Sequence, residues 1–365
     1  MSGIGGILRV DGAPVEQGLL ERMRDIIDFR GPDGSGLWMN GKVGLVHRLL
    51  WSTEESVSDQ QPMANGRGLW ITADCRIDNR EELKQRFISA GLWREAGKLF
   101  GSKPVPDSAY ILFAYELWGK EAPGRLLGDF AFAIWDEPRQ KLFCARDQIG
   151  IKPFVYHWNG RKFLFGSEMK QIFQDPSVSE ELNLLHLADL LATSFPNREE
   201  TPFLAVRRLP PGHSILIEWG NFRLRRYWDW NPLAEPLSRS SVQENAARFL
   251  ELFREAVRAR IRSPIGYRAG AFLSGGLDSS SVVAAAVSSS PPSQTSRPFP
   301  VFTSCFLETD PRYQRRNFDP VDEGPYVAAL AEQYPLELHR SKIEGYGPFE
   351  NLPWNLWFQI GRAHV

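Results

Sequence analysis

The sequence contains a glycine- and serine-rich loop whose residue types could hold a pyrophosphate group. The loop consists of Phe272, Leu273, Ser274, Gly275, Gly276, Leu277, Asp278, Ser279 and Ser280. Paired glycines let the backbone approach an anion closely, and hydroxyl groups donate hydrogen bonds to phosphate oxygens. A helix predicted to begin after the glycines adds free N–H groups and a positive dipole. The loop therefore predicts a pyrophosphate site.

Asp278 within this loop predicts a bound magnesium ion. A bare carboxylate facing phosphates would repel them, so a hard cation is expected to bridge the two. The alternative is an ordinary strand-to-helix turn with serine caps. The chain lacks a GxxxxGK[ST] segment, and the cluster Gly3 to Gly6 does not complete GxGxxG. Kinase-like and dinucleotide-binding functions therefore lose their main support.

The residues around the loop predict a βαβ unit. A buried strand is predicted over Ala269–Leu273, a helix follows through Val287, and a second strand is predicted over Val301–Leu307. This succession is typical of a parallel sheet. Upstream, Ser241 and Glu244 form a capping box that opens a long amphipathic helix.

The first part of the chain, up to about Tyr227, predicts strands packed against helices. Apolar runs separated by Gly, Pro, Asn and Asp predict strands over Ile4–Val10, Gly44–Leu50, Leu69–Ala73, Phe130–Asp136, Lys141–Arg146 and Arg161–Gly166. Apolar spacing near 3.6 predicts helices over Leu19–Phe29, Arg80–Ala90 and Ser108–Trp118. We expect Asn79 to cap the second of these helices and Asp107 to cap the third.

Length and charge favour a two-domain protein with a small partner. The chain has 365 residues and a net charge of −1, which gives no general field for attracting nucleic acid. No apolar run is long enough to span a bilayer. We therefore expect a cytoplasmic protein without a nucleic-acid or membrane partner. The scattered Cys75, Cys144 and Cys305 do not indicate a zinc site and are expected to be inert.

An ordered set of short motifs resembles the asparagine synthetase family. The loop contains SGGLDSS, which resembles the pyrophosphate loop of that family. Its other landmarks appear in order as Arg30-Gly31-Pro32-Asp33-Gly34, Gln61-Pro62, Ile77 with Asn79, Gly128-Asp129-Phe130-Ala131-Phe132, Arg146-Asp147 with Gly150 and Lys152-Pro153, and Gly166-Ser167-Glu168. The resemblance covers nearly the whole chain.

The resemblance implies two domains. Residues 1–230 would form an α+β N-terminal-nucleophile domain of the αββα glutaminase type, and residues 240–359 an α/β parallel-sheet adenine-nucleotide α-hydrolase-like (PP-loop) domain. We expect the second domain to be incomplete, because the family's later SGEGGDE-like motif and its catalytic lysine and glutamate are absent from the sequence. Residues 360–365 are expected to be an artefact of sequencing.

The resemblance also implies a reaction in which ATP and magnesium convert a side-chain carboxylate into an acyl-adenylate. Pyrophosphate is released, and an amine then forms the amide. The family's adenine position matches Phe272, Leu273, Thr303 and Ser304. The alternative for these apolar and small residues is that they belong to the strand core.

The glutaminase positions that the resemblance implies are mostly altered. The family's nucleophilic cysteine is Ser2, its Asn-Gly-Glu segment is Asp74-Cys75-Arg76, and its carboxylate-binding arginine is Leu49, beside Arg48. Asn79 and Asp107 are the catalytic-site positions that still match. A serine is far less acidic than a thiol, and a carboxylate at the oxyanion position opposes developing negative charge. We therefore expect an inactive glutaminase.

An inactive glutaminase requires another source of the amine. The favoured interpretation is a lasso-peptide macrolactam synthetase, which joins a peptide's N-terminal amine to an Asp or Glu side chain. Its expected partners are a small-molecule or peptide carboxylate substrate, a precursor peptide and a leader protease. A homodimer is an alternative to a single-chain enzyme. One alternative is an asparagine synthase using ammonia or glutamine. Another is a non-catalytic ATP-binding fragment.

Overall fold

A computed structural model of the chain describes residues 1–194, 197–230, 241–289, 297–305 and 324–342. The chain divides near residue 232 into two compact units. The predicted domain limits between 230 and 240, and the predicted artefact over 360–365, lie at or outside the described ranges.

Two six-stranded antiparallel sheets form the centre of the first unit. The strands are β1 (Gly3–Arg9), β2 (Gly34–Asn40), β3 (Val43–Leu49), β4 (Met63–Ala64), β5 (Leu69–Ile77), β6 (Gly128–Asp136), β7 (Lys141–Arg146), β8 (Val155–Trp158), β9 (Lys162–Gly166), β10 (Arg207–Arg208), β11 (His213–Glu218) and β12 (Asn221–Arg226). Sheet A has the order β10-β8-β9-β1-β3-β2, and sheet B the order β12-β11-β7-β6-β5-β4.

Helices cover the outer faces of both sheets. They are α1 (Gln17–Asp25), α2 (Arg80–Ser89), α3 (Trp93–Phe100), α4 (Asp107–Trp118), α5 (Met169–Ile172) and α6 (Leu184–Leu191). Residues of α1 and α5 pack on sheet A, and residues of α2, α3 and α4 pack on sheet B. A third apolar layer, with residues of β1, β3, β6 and β7, lies between the sheets. The predicted αββα fold is therefore confirmed.

The second unit is built around a parallel sheet. Its elements are α7 (Val242–Arg260), β13 (Ala271–Phe272), α8 (Leu277–Ser289), β14 (Phe299–Cys305), α9 (Gly324–Gln333) and β15 (Leu336–Lys342). The strand order is β13-β14-β15, and both pairings are parallel, as predicted. Ser241 and Glu244 form the predicted capping box. The buried Leu273, Val283 and Val301 join the sheet to α8.

The structure confirms Asn79 as the N-cap residue of α2, although its side chain makes no capping hydrogen bond, whereas the predicted cap at Asp107 is wrong. Asn79 precedes α2, but its side chain accepts the N–H of Leu127 at 3.0 Å and donates to the carbonyl of Arg125 at 3.0 Å. Asp107 is the first residue of α4, and its carboxylate accepts the N–H of Ile77 at 3.0 Å. Both side chains therefore join elements distant in sequence, which local spacing does not reveal.

Within the described ranges, no helix has the length and apolar character that crossing a membrane requires.

Leu142 tests the layer between the sheets. The side chain of Leu142 is fully buried there, whereas Leu127 is 61% exposed. We expect Leu142→Ala to lower the free energy of unfolding by about 2–5 kcal/mol, because it removes buried methyl groups and leaves a cavity. Leu127→Ala is the matched control and should change it by less than about 0.5 kcal/mol. Denaturant unfolding of both variants gives the comparison, and equal costs would contradict the assigned core.

Candidate functional site

Three of the altered glutaminase positions lie in the space between the two sheets. Side chains alternate across a strand, and the inward face of β1, β3 and β5 carries Ser2, Leu49 and Asp74 at the same end of the sandwich. Ser2 is 8% exposed, and its Oγ accepts the N–H of Leu50 at 3.1 Å. One of the two acceptor positions of the Ser2 hydroxyl is thus occupied by the backbone.

A buried group of charges surrounds Asp74. One carboxylate oxygen lies 2.7 Å from Nζ of Lys152, and the other lies 3.7 Å from Nη2 of Arg30. Arg30 also contacts Glu168 at 2.5 Å and donates from Nε to the carbonyl of Ser2 at 3.0 Å. We call Asp74, Lys152, Arg30 and Glu168 the Asp74 cluster. It gives the carboxylate of Asp74 two cationic neighbours inside the protein.

The N-terminal amino group lies near this cluster. Burial lowers the pKa of the Met1 amine most strongly, while the charge of Asp74 opposes that shift and the charges of Lys152 and Arg30 add to it. The structure therefore brings the N-terminus, Ser2 and Asp74 together, as expected for an N-terminal-nucleophile fold.

The landmark Arg146-Asp147 shapes the loop that delivers Lys152 to the cluster. The buried Asp147 carboxylate accepts the N–H groups of Ile151 and Lys152 at 2.8 and 2.9 Å. The guanidinium of Arg146 donates to the carbonyls of Lys152 and Gly150, both at 2.7 Å. Sequence reasoning did not identify Lys152 as the partner of Asp74, although the landmark containing Lys152 was visible.

Asp107 and Asn79 have partners of their own. The carboxylate of Asp107 forms an ion pair with Arg80, whose guanidinium lies over the Tyr110 ring at 4.4 Å. The amide of Asn79 bonds to the segment containing Arg125 and Leu127. The catalytic assignment of Ser2, Asn79 and Asp107 stays a prediction.

Arg48 does not occupy the position vacated by the family's arginine. It lies on the outer face of β3, where its guanidinium donates to Asp25 at 2.7 Å and to the carbonyl of Arg24 at 3.1 Å. Leu49, on the opposite face, is 8% exposed and lines a pocket. An apolar side chain therefore replaces a cation at this point.

Asp59 lies buried near the same end of the sandwich. Its carboxylate accepts the hydroxyl of Ser108 at 2.8 Å and the amide of Gln61 at 2.9 Å. Gln61 also bonds to both the N–H and the carbonyl of Ala73, at 2.6 and 3.0 Å. Burial raises the pKa of Asp59 to about 6, although the hydrogen bonds from Ser108 and Gln61 oppose the shift.

The cysteine side chains that the structure describes are free. Cys144 is buried and Cys75 is partly exposed. Burial raises the pKa of both thiols well above the ordinary value, which is the reverse of what an activated nucleophile requires. The side chain of Cys305 lies outside the described residues.

In the second unit, the predicted pyrophosphate loop lies at the carboxyl end of β13. Ser279 Oγ accepts the N–H of Ser274 at 3.1 Å and lies 3.0 Å from Ser274 Oγ. The backbone of Leu273 is fixed by a 2.8 Å hydrogen bond to the carbonyl of Phe302. Ser274, Leu277 and Asp278 are exposed. Helix α8 begins at Leu277, so its N-terminus and the exposed Ser274 lie where an anion could bind. Ser279 is partly buried, and its hydroxyl donates to the carbonyl of Gly276 at 3.3 Å.

The predicted adenine contacts separate into two groups. Leu273 is 2% exposed and Thr303 is 8% exposed, so both belong to buried positions of the strands. Phe272 is 86% exposed and its ring lies 6.2 Å from that of Phe302. The side chain of Ser304 lies outside the described residues. Phe272 is thus accessible to a flat ligand. Strand packing is sufficient to explain the burial of Leu273 and Thr303.

The residues of the loop fit ATP with magnesium. Magnesium is commonly held by one or two carboxylates together with phosphate oxygens, and Asp278 supplies one exposed carboxylate beside the helix N-terminus. The described ranges contain no group of three or more His, Cys, Asp or Glu residues that could hold a metal without a ligand. The arrangement therefore suits a cation shared with a phosphate.

Comparison with known proteins gives matches over both units. Residues 1–228 match the family model of a glutamine amidotransferase domain, and residues 248–359 match that of asparagine synthase. Asparagine synthetase (glutamine-hydrolyzing) 3 of Bacillus subtilis is 30% identical over 90% of this chain and 52% of its own length. Asparagine synthetase (glutamine-hydrolyzing) 2 of the same organism is 31% identical over 77% and 38%, respectively.

A fungal protein is also similar. Amidase chry2 of Gibberella zeae is 31% identical over 72% of this chain and 38% of its own length. The chain thus spans about half the length, or less, of these curated relatives.

Lys152 tests the energetic role of the Asp74 cluster. We expect Lys152→Met to lower the free energy of unfolding by about 3–5 kcal/mol, because it leaves the buried carboxylate of Asp74 poorly compensated. Lys98→Met is the control, since Lys98 is 71% exposed in its ion pair with Glu95 and its removal should cost less than about 1 kcal/mol. Denaturant unfolding measures both, and a cost below 1 kcal/mol for Lys152→Met would refute the assignment.

Asp59 predicts a pH dependence of stability. Because its pKa in the folded chain is about 6, against an ordinary value of 3.8, the folded state binds a proton that the unfolded state has lost between these pH values. This contribution favours folding at acid pH and disappears as the pH rises through 6. The free energy of unfolding, taken relative to Asp59→Asn, should fall by about 2 kcal/mol from pH 4 to pH 7. Denaturant unfolding of both chains at each pH checks this, and a constant difference would contradict it.

Proposed function

Because the chain belongs to the asparagine synthetase family, we propose that it forms an amide bond by ATP-dependent adenylation of a side-chain carboxylate, without making ammonia from glutamine. The ion pair between Asp74 and Lys152 at 2.7 Å, inside the first unit, is the observation that supports the absence of glutamine hydrolysis. The exposed loop around Ser274 and Asp278 supports the ATP-dependent adenylation.

The Asp74 cluster opposes glutamine hydrolysis on electrostatic grounds. Attack on an amide carbonyl places negative charge on the carbonyl oxygen, and hydrogen-bond donors must stabilise that charge. Asp74 stands where the family resemblance expects a neutral amide donor. Its carboxylate repels an oxyanion. The ammonium group of Lys152 is paired with that carboxylate and therefore does not stabilise an oxyanion.

The remaining glutaminase positions support the same conclusion. The hydroxyl oxygen of Ser2 accepts a backbone hydrogen bond from Leu50, and a hydroxyl is much harder to deprotonate than a thiol. Leu49 offers no charge to a substrate carboxylate, and the carboxylate of Asp107 is paired with Arg80. Glutamine would therefore find neither a charge clamp nor a competent nucleophile.

The second unit has a loop whose groups can hold the pyrophosphate portion of ATP, which is one requirement of an adenylation reaction. The hydroxyls of Ser274 and Ser279 and the N-terminus of α8 are placed to hold the pyrophosphate portion of ATP. Asp278 would hold magnesium, which neutralises phosphate charge. These groups stabilise pyrophosphate as it leaves, so that the substrate carboxylate becomes bonded to AMP. An amine then displaces AMP and loses a proton as the amide forms.

The finer form of the proposal is a macrolactam synthetase. A unit that makes no ammonia suits a reaction in which the amine is already part of the substrate. The carboxylate would then be an Asp or Glu side chain of a precursor peptide, and the amine would be the N-terminus of the same peptide. A leader protease would expose that N-terminus. The relatives' names favour a second candidate, an asparagine synthase that makes asparagine from aspartate with ammonia or glutamine.

Pyrophosphate release by the intact protein tests the proposal. We expect ATP-dependent release with a peptide carrying an N-terminal amine and an internal Asp, and no glutamate from added glutamine. Asp278→Asn should reduce release at least about 100-fold, because the carboxylate that would hold magnesium beside the phosphates is lost. Asp11→Asn, an exposed carboxylate in the first unit, is the matched control.

The outcomes separate the candidates. Release with aspartate and ammonium, but not with the peptide, would favour asparagine synthesis. No release with either substrate, or an unaffected Asp278→Asn, would refute the ligase proposal. Ser2→Cys should not restore glutamine hydrolysis while Asp74 remains, and glutamate formation by the unmodified chain or by that variant would refute the inactive glutaminase.

A further inference from the structure

A pocket of about 400 Å³ opens in the first unit beside β3. We call it the edge pocket. It is lined by residues of β2 and β3 and of the segment that precedes β4. Among its lining residues are Asp33, His47, Leu49, Trp51, Val57 and Asp59.

His47 provides an unsatisfied hydrogen-bond acceptor in the lining. Its side chain is 1% exposed, and Nδ1 lies 3.2 Å from Oγ1 of Thr72. The hydroxyl of Thr72 donates to the carbonyl of Val46 at 3.0 Å, so its oxygen is left to accept a hydrogen from Nδ1. The proton of the neutral ring therefore sits on Nδ1 and the lone pair on Nε2.

Nε2 of His47 has no hydrogen-bond partner among the described residues, although it is buried. Burial also lowers the pKa of His47 to about 3, so the ring is neutral near pH 7. A buried acceptor without a donor is costly, and a ligand with an N–H or O–H group would remove that cost.

Asp59 adds a negative charge to the same lining. It is 7% exposed, and the partners that the structure gives its carboxylate are the neutral groups of Ser108 and Gln61. Within the described ranges no Lys, Arg or His pairs with it. The charge of Asp107 acts on it with the same sign. The site therefore lacks a cation close to Asp59.

The rest of the lining has the character of a site for a cation with an apolar body. Asp33 brings a second carboxylate, which accepts the N–H of Trp51 at 2.8 Å. Leu49, Trp51 and Val57 provide apolar surface, and the described residues that line the pocket include no Lys or Arg. Leu49 also stands where the family resemblance expects an arginine, so the charge preference of this edge is reversed.

We propose that the edge pocket binds a small organic ammonium ion. The ammonium group donates to Nε2 of His47 and neutralises Asp59, while the apolar body packs against Leu49 and Trp51. A neutral alcohol satisfies the acceptor but leaves the carboxylate unpaired, and an anion is repelled by Asp33 and Asp59. The proposal concerns the first unit alone and does not require the ligase reaction.

Three probes of one shape test the proposal on the full chain at pH 7.5. Isothermal titration and saturation-transfer NMR compare benzylamine with benzyl alcohol and benzoate. We expect benzylamine to bind at least about tenfold more tightly than benzyl alcohol, because a buried charge pair replaces a neutral contact. Benzoate should bind more weakly than either.

Two variants connect the binding to this pocket. Asp59→Asn should weaken benzylamine about tenfold and leave benzyl alcohol unchanged, and Leu49→Arg should weaken benzylamine at least as much by placing a cation in the pocket. Asp11→Asn, which changes an exposed carboxylate elsewhere in the first unit, is the control for net charge.

Circular dichroism shows which variants fold. If Asp59→Asn does not fold, the binding of benzylamine to Leu49→Arg provides the test. The proposal fails if benzylamine does not bind, if the three probes bind equally, or if folded Asp59→Asn or Leu49→Arg keeps the original affinity. If the unmodified protein binds benzylamine as expected but releases no pyrophosphate from ATP, that result counts against the ligase proposal only.

Discussion

A carboxylate buried between two packed sheets must be compensated by hydrogen bonds, by protonation or by nearby cations, and cations provide that compensation at Asp74. Asp74 is 3% exposed, so the free energy of desolvating its charge must be offset within the protein. Lys152 and Arg30 provide that compensation, and Asp147 fixes the loop that carries Lys152. The Asp74 cluster is therefore a structural element of the first unit.

The two units differ in how their polar groups are used. In the first unit the charges of Asp74 and Asp107 are directed at other protein groups, so little remains for a substrate at those positions. In the second unit Ser274, Ser279 and Asp278 lie on an accessible loop before a helix. This contrast supports an assignment of synthetic chemistry to the second unit, with the edge pocket as a separate binding site.

Local patterns predicted most of the elements, and long-range pairing explains the rest. The strand Lys141–Arg146 was predicted with its observed bounds, because its apolar run is bounded by turn residues. The edge strand β2 was missed, since its residues alternate in type too weakly to separate it from a loop. The ordered landmarks gave the family and the phosphate loop.

The contacts of the candidate site were beyond local reasoning. The pairing of Asp74 with Lys152, and of His47 with Thr72, joins residues far apart in the chain. Their proximity depends on how the sheets stack, which spacing within one strand does not encode. The cap predicted at Asp107 is wrong for the same reason, and Asn79 is the N-cap residue of α2 without a side-chain capping bond, because both side chains reach distant segments.

The compensation around Asp74 also limits which substitutions the first unit tolerates. Replacing Asp74 by the neutral residue that the family resemblance expects would leave Lys152 and Arg30 as neighbouring buried cations, with Glu168 to balance them. A change at Asp74 alone would then lower stability. If glutamine hydrolysis is absent as proposed, its recovery would require Lys152 or Arg30 to change together with Asp74.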